Sequence, residues 1–325
     1  MKQREFVRAS LICAIISMLN FASGAQTVVS EKIINATTSD EKLTIYSIDD
    51  KELNGVYKIY GYNDDYELVS FKNGIKNGEV AIFSYEDDLK CEGRYNNGSA
   101  DGEWVFYDTE RGIISAVRVY KNGKADGMWK EFDRRSKTPV KEETYDNGML
   151  TEMREYNLSG DRKSESFYKN GLRIGNWKEY HRDNILRSST NYDLNIKEGL
   201  FEQFNSDGKI QLRGQYKNNK HVGEWLVYYD DGNVYSKRKQ NGDKWDFETF
   251  HENGKLKEKG VAIDFKLTLY DGKHTEYYEN GKIKQESNFL NGSRHGSYVL
   301  YRENGTKQEE GTYNKGDRAE YKRYD

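Results

Sequence analysis

The sequence predicts an all-β fold: an elongated antiparallel β-meander of about 12 repeated hairpins of about 24 residues each, a single-layer sheet free to curl. Three observations predict it. A glycine-and-aromatic pattern recurs at nearly even spacing, tight-turn dipeptides punctuate the copies, and 325 residues include a single proline. Proline cannot donate to a strand ladder, so its near absence suits sheet interiors. Composition adds a constraint. Hydrophobic residues are 35% and charged residues 32%, with a mean hydropathy of -1.01, values close to those of disordered chains. The 26 Tyr, 13 Phe and 5 Trp point the other way, because large rigid rings favour a pleated, half-buried surface. A thin, polar, ring-studded sheet satisfies both.

Along the chain, residues 1–25 read as a secretory signal peptide. Lys2, Arg4 and Arg8 precede a short apolar stretch from Leu11 to Phe21, and Ser23-Gly24-Ala25 offers small residues for cleavage before Gln26. The stretch is too short to cross a bilayer core of about 30 Å, so no transmembrane anchor is expected after cleavage. Cleavage takes the formal net charge from -3 to about -5, which argues against nucleic acid as a partner. Cys13 leaves with the leader and Cys91 stands alone, so no internal disulfide is expected. Residues 26–51 form a linker or cap, and 52–325 the repeat domain.

Each copy starts with Gly, one residue, an aromatic, two residues and a second aromatic. Gly55-Tyr57-Tyr60, Gly78-Val80-Phe83, Gly102-Trp104-Tyr107 and Gly127-Trp129-Phe132 come first. Thr151-Met153-Tyr156 is weaker, and Gly175-Trp177-Tyr180, Gly199-Phe201-Phe204 and Gly223-Trp225-Tyr228 are strong again. Trp245-Phe247-Phe250 has drifted. Gly272-His274-Tyr277, Gly296-Tyr298-Tyr301 and Ala319-Tyr321-Tyr324 complete the series, with spacings between 22 and 27 residues. Asn-Gly and Asp-Gly strings such as Glu279-Asn280-Gly281 and Asp230-Asp231-Gly232 then reverse the first strand. A second strand ends in a closing ring before another such turn, as in Tyr95 to Gly98 or Phe289 to Gly292. Two strands and two turns consume the period, leaving no residues for a crossover.

Alternation places Ile210, Leu212, Gly214 and Tyr216 on one face, and likewise Ile283, Gln285, Ser287 and Phe289. Gly93, Gly214 and Gly311, each two residues before a closing ring, leave room for a large ring from the neighbouring strand. The two aromatics of the first strand, three apart, are expected on opposite faces.

Units such as GNWKEYHRDN, GEWLVYYDDG and GKHTEYYENGKIKQESNFLNG resemble the MORN repeat variant of bacterial YwqK-family antitoxins over residues 55–325. The copies at 151 and 245 depart by lacking the glycine, and the copy at 272 by carrying His at the ring position. The resemblance implies an elongated β-sheet that engages proteins or membranes, with no catalytic residues. An antitoxin for a cytosolic toxin fits poorly with a leader.

No catalytic, cofactor or metal site is expected. His181, His221, His251, His274 and His295 are scattered through the copies without the short spacing of metal ligands. Asp64-Asp65, Glu86-Asp87-Asp88 and Asp230-Asp231 fall at turns, where Asp bonds local backbone. The expected function is an exported, non-enzymatic scaffold binding a partner protein, in an antitoxin- or immunity-like role. The alternative is extracellular carbohydrate binding. Trp104, Trp129, Trp177, Trp225 and Trp245 are the candidate protein- or glycan-contacting rings, with packing inside the sheet as the competing role. The expected location is periplasm, cell surface or medium.

Overall fold

In the computed structural model, residues 27–30, 34–38, 43–61 and 64–325 are described. They divide into two compact units: residues up to 161 with 168–171, and 162–167 with 172–325. The leader expected at residues 1–25 lies outside the described residues. Both units are built of antiparallel strands that pair in chain order, the expected meander.

In the first unit the main strands are Gly55–Tyr60, Tyr66–Lys72, Ile75–Phe83, Leu89–Asn96, Gly102–Asp108, Ile113–Lys121, Gly127–Phe132, Pro139–Asp146 and Met149–Tyr156. One pairing departs from expectation. Thr27–Ser30 joins Gly55–Tyr60 in parallel. Asn35–Thr38, Thr44–Ile48 and Lys51–Glu52 form a separate three-stranded sheet, which grips the turn at Gly74. Tyr46 N–H donates to Gly74 O, and Gly74 N–H to Leu53 O, both at 2.8 Å. Beneath it lies the core of this unit: Leu53, Ile59, Val69, Phe71, Val80, Cys91 and Trp104.

The second unit runs from Leu172–Tyr180 and Leu186–Asp193 through Ile196–Phe204, Ile210–Lys217, Lys220–Tyr228, Val234–Asn241, Lys244–Phe250 and Leu256–Ala262. It continues through Gly272–Tyr277, Ile283–Leu290, Ser293–Tyr301, Lys307–Asn314 and Asp317–Arg323.

Two bulges per regular copy explain its length. At the first, Ser287 pairs with Tyr298 and Phe289 with Arg294, so Asn288 alone faces residues 295–297. Gly296 lies in that excursion at φ +88°, a left-handed conformation that glycine adopts without strain. The copies lacking the glycine shorten the excursion. Opposite Trp245 the ladder runs straight from Asn241–Lys244 to Ser236–Thr249, and the spacing of 22 residues follows. Around Met153 a single extra residue, Thr151, remains, since Thr144 pairs with Glu152 and Tyr145 with Leu150.

The second bulge overturns a face assignment. Gln203 pairs with Leu212 but Phe204 pairs with Ile210, leaving Gln211 extra. Gln203 and Phe204 are successive residues on opposite faces, so Ile210 turns away from Leu212. Ile283 behaves alike: it pairs with Tyr277, while Gln285 pairs with Glu276. Simple alternation fails wherever a residue is inserted.

Hydrogen bonds along both margins tie each copy to the next. On one margin of the second unit, the residue after the second aromatic reaches a carbonyl of the following copy in several copies. His181 Nε2 donates to Phe204 O at 3.0 Å, His251 Nε2 to Tyr277 O at 3.2 Å, and Tyr229 and Tyr278 hydroxyls to Phe250 O and Tyr301 O at 2.7 Å. On the other, turn glycines donate backward. Gly123 N–H bonds Ala100 O at 2.8 Å and Gly292 N–H bonds Tyr270 O at 2.9 Å.

Candidate interaction surface

One face of each unit carries a ladder of the first aromatics and the closing rings, while the second aromatics point to the other face, as expected. In the first unit Tyr95, Trp104, Tyr120, Trp129 and Tyr145 follow one another with centroids 4.7 to 6.2 Å apart. The room that glycine leaves is used as expected. A Cβ at Gly93 would stand 2.3 Å from Trp104 Cδ2, and one at Gly214 2.0 Å from Trp225 Cδ2. The position is not uniformly small, however. Arg118 occupies it between Phe106 and Trp129, its guanidinium 4.8 and 5.0 Å from their centroids, and so gains cation–π contact instead.

The five candidate tryptophans all belong to this ring face. Trp104, Trp225 and Trp245 are buried, at 6%, 0% and 7% exposure, so their ring faces are occupied inside the protein and closed to a sugar. Trp129 and Trp177 are half-buried. Indole N–H groups are also engaged: Trp104 bonds Arg94 O at 3.2 Å, Trp129 bonds Val119 O at 2.8 Å, Trp177 bonds Phe167 O at 3.1 Å and Trp225 bonds Val222 O at 3.1 Å. Arg94 and Val119 are the residues facing the first bulge. Each carbonyl also accepts a backbone N–H, from Asp101 at 2.9 Å and Asp126 at 3.0 Å, so both lone pairs are used.

In the second unit two copies lack a closing ring. Gln240 and Ala262 stand where other copies have Tyr or Phe. The segment after Ala262 supplies the missing rings. Phe265 lies 5.1 Å from Trp225 and 5.0 Å from Trp245, and stacks on His221 at 3.7 Å. Tyr270 lies 5.4 Å from Phe247, 4.5 Å from His274 and 5.2 Å from Phe289. Asp264 holds the segment's turn, accepting from the N–H groups of Thr268 and Leu269 at 2.9 and 2.8 Å and from the Thr268 hydroxyl at 2.8 Å. Burial alone would raise the Asp264 carboxyl pKa, but these donors outweigh it and hold it below its ordinary value. Arg238 completes the clasp by donating to Phe265 O at 3.0 Å.

The opposite face is polar and periodic. Tyr107 donates to Glu92 at 2.6 Å, Tyr156 to Glu142 at 2.7 Å and Tyr301 to Glu286 at 3.3 Å, each bridging adjoining strands. Lys130 pairs with Glu142 at 3.1 Å, Arg213 with Glu202 at 3.4 Å, Lys237 with Glu224 at 3.1 Å and Lys273 with Glu286 at 2.6 Å. Behind the irregular copy this face holds a groove of about 710 Å³. Its lining includes Lys237, Lys239, Lys259 and Lys273, the apolar Val261 and Ile283 with Tyr277, and the carboxylates Asp246, Glu248 and Glu286. None of these side chains was a sequence-based candidate. The signal available was a change of charge at one repeat position: Glu165, Ser189, then Arg213, Lys237 and Lys259, then Glu286 and Glu310.

The histidines have local partners. His274 is buried and lies 3.1 Å from Glu258, whose carboxyl it holds below the ordinary range. Burial, with Lys197 and Arg238 nearby, lowers the pKa of His221. Lys315 N–H donates to His295 at 3.4 Å. Among the described residues no group of three or more His, Cys, Asp or Glu side chains is arranged to hold a metal ion, and no helix is long and apolar enough to cross a membrane. Burial pushes the Cys91 thiol up to about 11, making it a poor nucleophile at neutral pH.

Paired strands, inter-copy hydrogen bonds and a shared ring ladder define a β-hairpin repeat protein. More particularly, residues 197–218, 222–239, 246–261, 270–291 and 294–315 match the family model of the MORN repeat variant, so five successive copies are similar to that repeat. No curated protein matches the chain. Among solved structures it is similar, at 14% identity and a TM-score of 0.16, to the crystal structure of TcdB2-TccC3-TEV, over 87% of this chain and 16% of that one. The Photorhabdus luminescens Tc holotoxin pore is matched at the same identity and TM-score, over 90% of this chain and 16% of that one. The chain thus spans about a sixth of the length of these proteins.

Proposed function

We propose that the chain is an exported, non-enzymatic scaffold that binds a partner protein. One observation carries this reading. The apolar rings are largely engaged within the sheet, while the opposite face offers Tyr, Glu and Lys side chains repeated from copy to copy. Repeat arrays of this kind bind through extended periodic surfaces. The burial of Trp104, Trp225 and Trp245 favours a protein over a glycan, which needs exposed ring faces. An antitoxin- or immunity-like role is a specific form of such binding. The basic, apolar and small-residue sequence of residues 1–25 supports export.

The test is affinity capture with the purified chain from an envelope extract of its own cells. A partner retained through high-stringency washes is expected, and recovery of nothing above a bare-resin control would end the proposal. Export is read from the mature N-terminus by mass spectrometry, expected at Gln26, with an intact Met1 as the contrary result.

A further inference from the structure

We infer that the groove behind the irregular copy binds an acidic peptide segment carrying an apolar side chain, supplied by the partner protein. This rests on the scaffold reading and locates its contact.

Three observations converge there. The groove has an apolar floor, Val261, Tyr277 and Ile283, between four lysines. Lys237 and Lys273 are neutralised by Glu224 and Glu286 at 3.1 and 2.6 Å. Lys239 and Lys259 are exposed, and among the described residues neither has a carboxylate within ion-pair distance. The second observation is periodic. The position that carries Glu in the copies of Glu165, Glu286 and Glu310 carries Arg213, Lys237 and Lys259 in three nearby copies. Where Glu is kept, the following Tyr donates to it, as Tyr301 does to Glu286 at 3.3 Å. Where Lys259 replaces it, the ammonium lies 6.0 Å from the centre of the Tyr277 ring, an interaction that leaves ammonium protons for an incoming anion.

The third observation concerns the backbone. The ladder opposite Trp245 runs without the bulge, so Lys237 and Lys239 stand on one straight strand, facing Glu248 and Asp246 of the next. An extended acidic segment laid across these strands meets Lys239 and Lys259 while its apolar side chain covers Val261 and Ile283. Asp246 and Glu248 stand directly across the ladder from Lys239 and Lys259, and with Glu286 they repel any carboxylate not seated on those two lysines, which fixes the position of the segment.

Fluorescence anisotropy of the full chain with a labelled peptide of five Glu-Leu repeats tests this, with five Lys-Leu repeats as the charge control. Selective binding of the acidic peptide is expected, weakening with added salt and falling at least about tenfold in the Lys239→Glu/Lys259→Glu double variant. Lys217→Glu, outside the groove, is expected to bind as the wild type does. Circular dichroism establishes that the variants are folded, and the single changes Lys239→Gln and Lys259→Gln serve if the double variant is not. No binding, equal binding by the double variant, or preferential binding of phosphatidylserine vesicles lost in that variant would each overturn the inference. Affinity capture separates the two proposals. A partner retained equally by wild type and double variant removes the groove alone, whereas no partner with either protein removes the scaffold reading.

Discussion

Adding one methyl group at Gly214 tests whether the ring ladder sets the shape of a copy. Gly214 has ordinary strand dihedrals, and Ala there gains backbone entropy worth about 0.5–1 kcal/mol. Against this, its Cβ would stand 2.0 Å from Trp225 Cδ2 and 2.4 Å from Cε2. The indole cannot retreat freely. It is fully buried, 5.2 Å from Tyr216 and 5.1 Å from Phe265, and its N–H is bonded to Val222 O. Overpacking at a closed site costs about 1–3 kcal/mol, so the net loss is up to about 2.5 kcal/mol. Gly223→Ala is the contrast: φ is +67° with no atom within 4 Å of the new Cβ, and its cost of about 1 kcal/mol is conformational. Because repeat arrays open locally, the assay is hydrogen exchange by mass spectrometry over Ile210–Lys217 and Lys220–Tyr228. Gly214→Ala is expected to speed exchange in both strands. In a Trp225→Leu background the added methyl should cost markedly less, while the Gly223→Ala penalty should persist. Unchanged exchange in Gly214→Ala, or an equal penalty in both backgrounds, would refute the steric reasoning.

Phe265→Ala is expected to cost about 2–4 kcal/mol and to red-shift tryptophan emission as Trp225 and Trp245 gain water; unshifted emission would mean that the segment does not complete the ladder. Tyr278→Phe removes the hydroxyl bonded to Tyr301 O and should cost about 1 kcal/mol, read as faster exchange in Ser293–Tyr301. Stability should also fall on acidification. Hydrogen bonds from His274 and Lys273 depress the carboxyl pKa values of Glu258 and Glu286, so their contribution is present above the ordinary Glu value of about 4.3 and is lost as pH drops through the depressed folded values. A Glu258→Gln variant should show a shallower decline of thermal midpoint below about pH 4, and an unchanged slope would exclude that carboxylate as a source.

The period, the turns and the glycine-for-ring exchange could be read from residues because each is local. Asn-Gly turns sit where dipeptides predict them, and Gly93 and Gly214 lie under Trp104 and Trp225. The face of Ile210 and Ile283 could not be read, because a bulge inserts a residue without changing composition. Nor could the burial of Trp245. Its neighbour Phe265 comes from a segment outside the repeat pattern, so no periodic argument connects them. The groove was half legible: the Glu-to-Lys change is visible in sequence, but its relation to a straight ladder needs the register.

The irregular copy joins these departures into one physical account. Losing the anchor glycine removes the excursion, which straightens the ladder and brings Trp245 into the ring face. Gln240 and Ala262 would then leave two gaps among the rings, and unfilled apolar gaps are costly. Phe265 and Tyr270 fill them from a segment clasped by Arg238 and Asp264. On the other face Glu gives way to Arg213, Lys237 and Lys259 around this region, and Lys237, Lys239 and Lys259 line one groove there. A defect compensated on only one side of a single-layer sheet therefore lies back to back with a distinct surface on the other. That asymmetry is what an array of near-identical units needs if one position along it is to be recognised and the rest ignored.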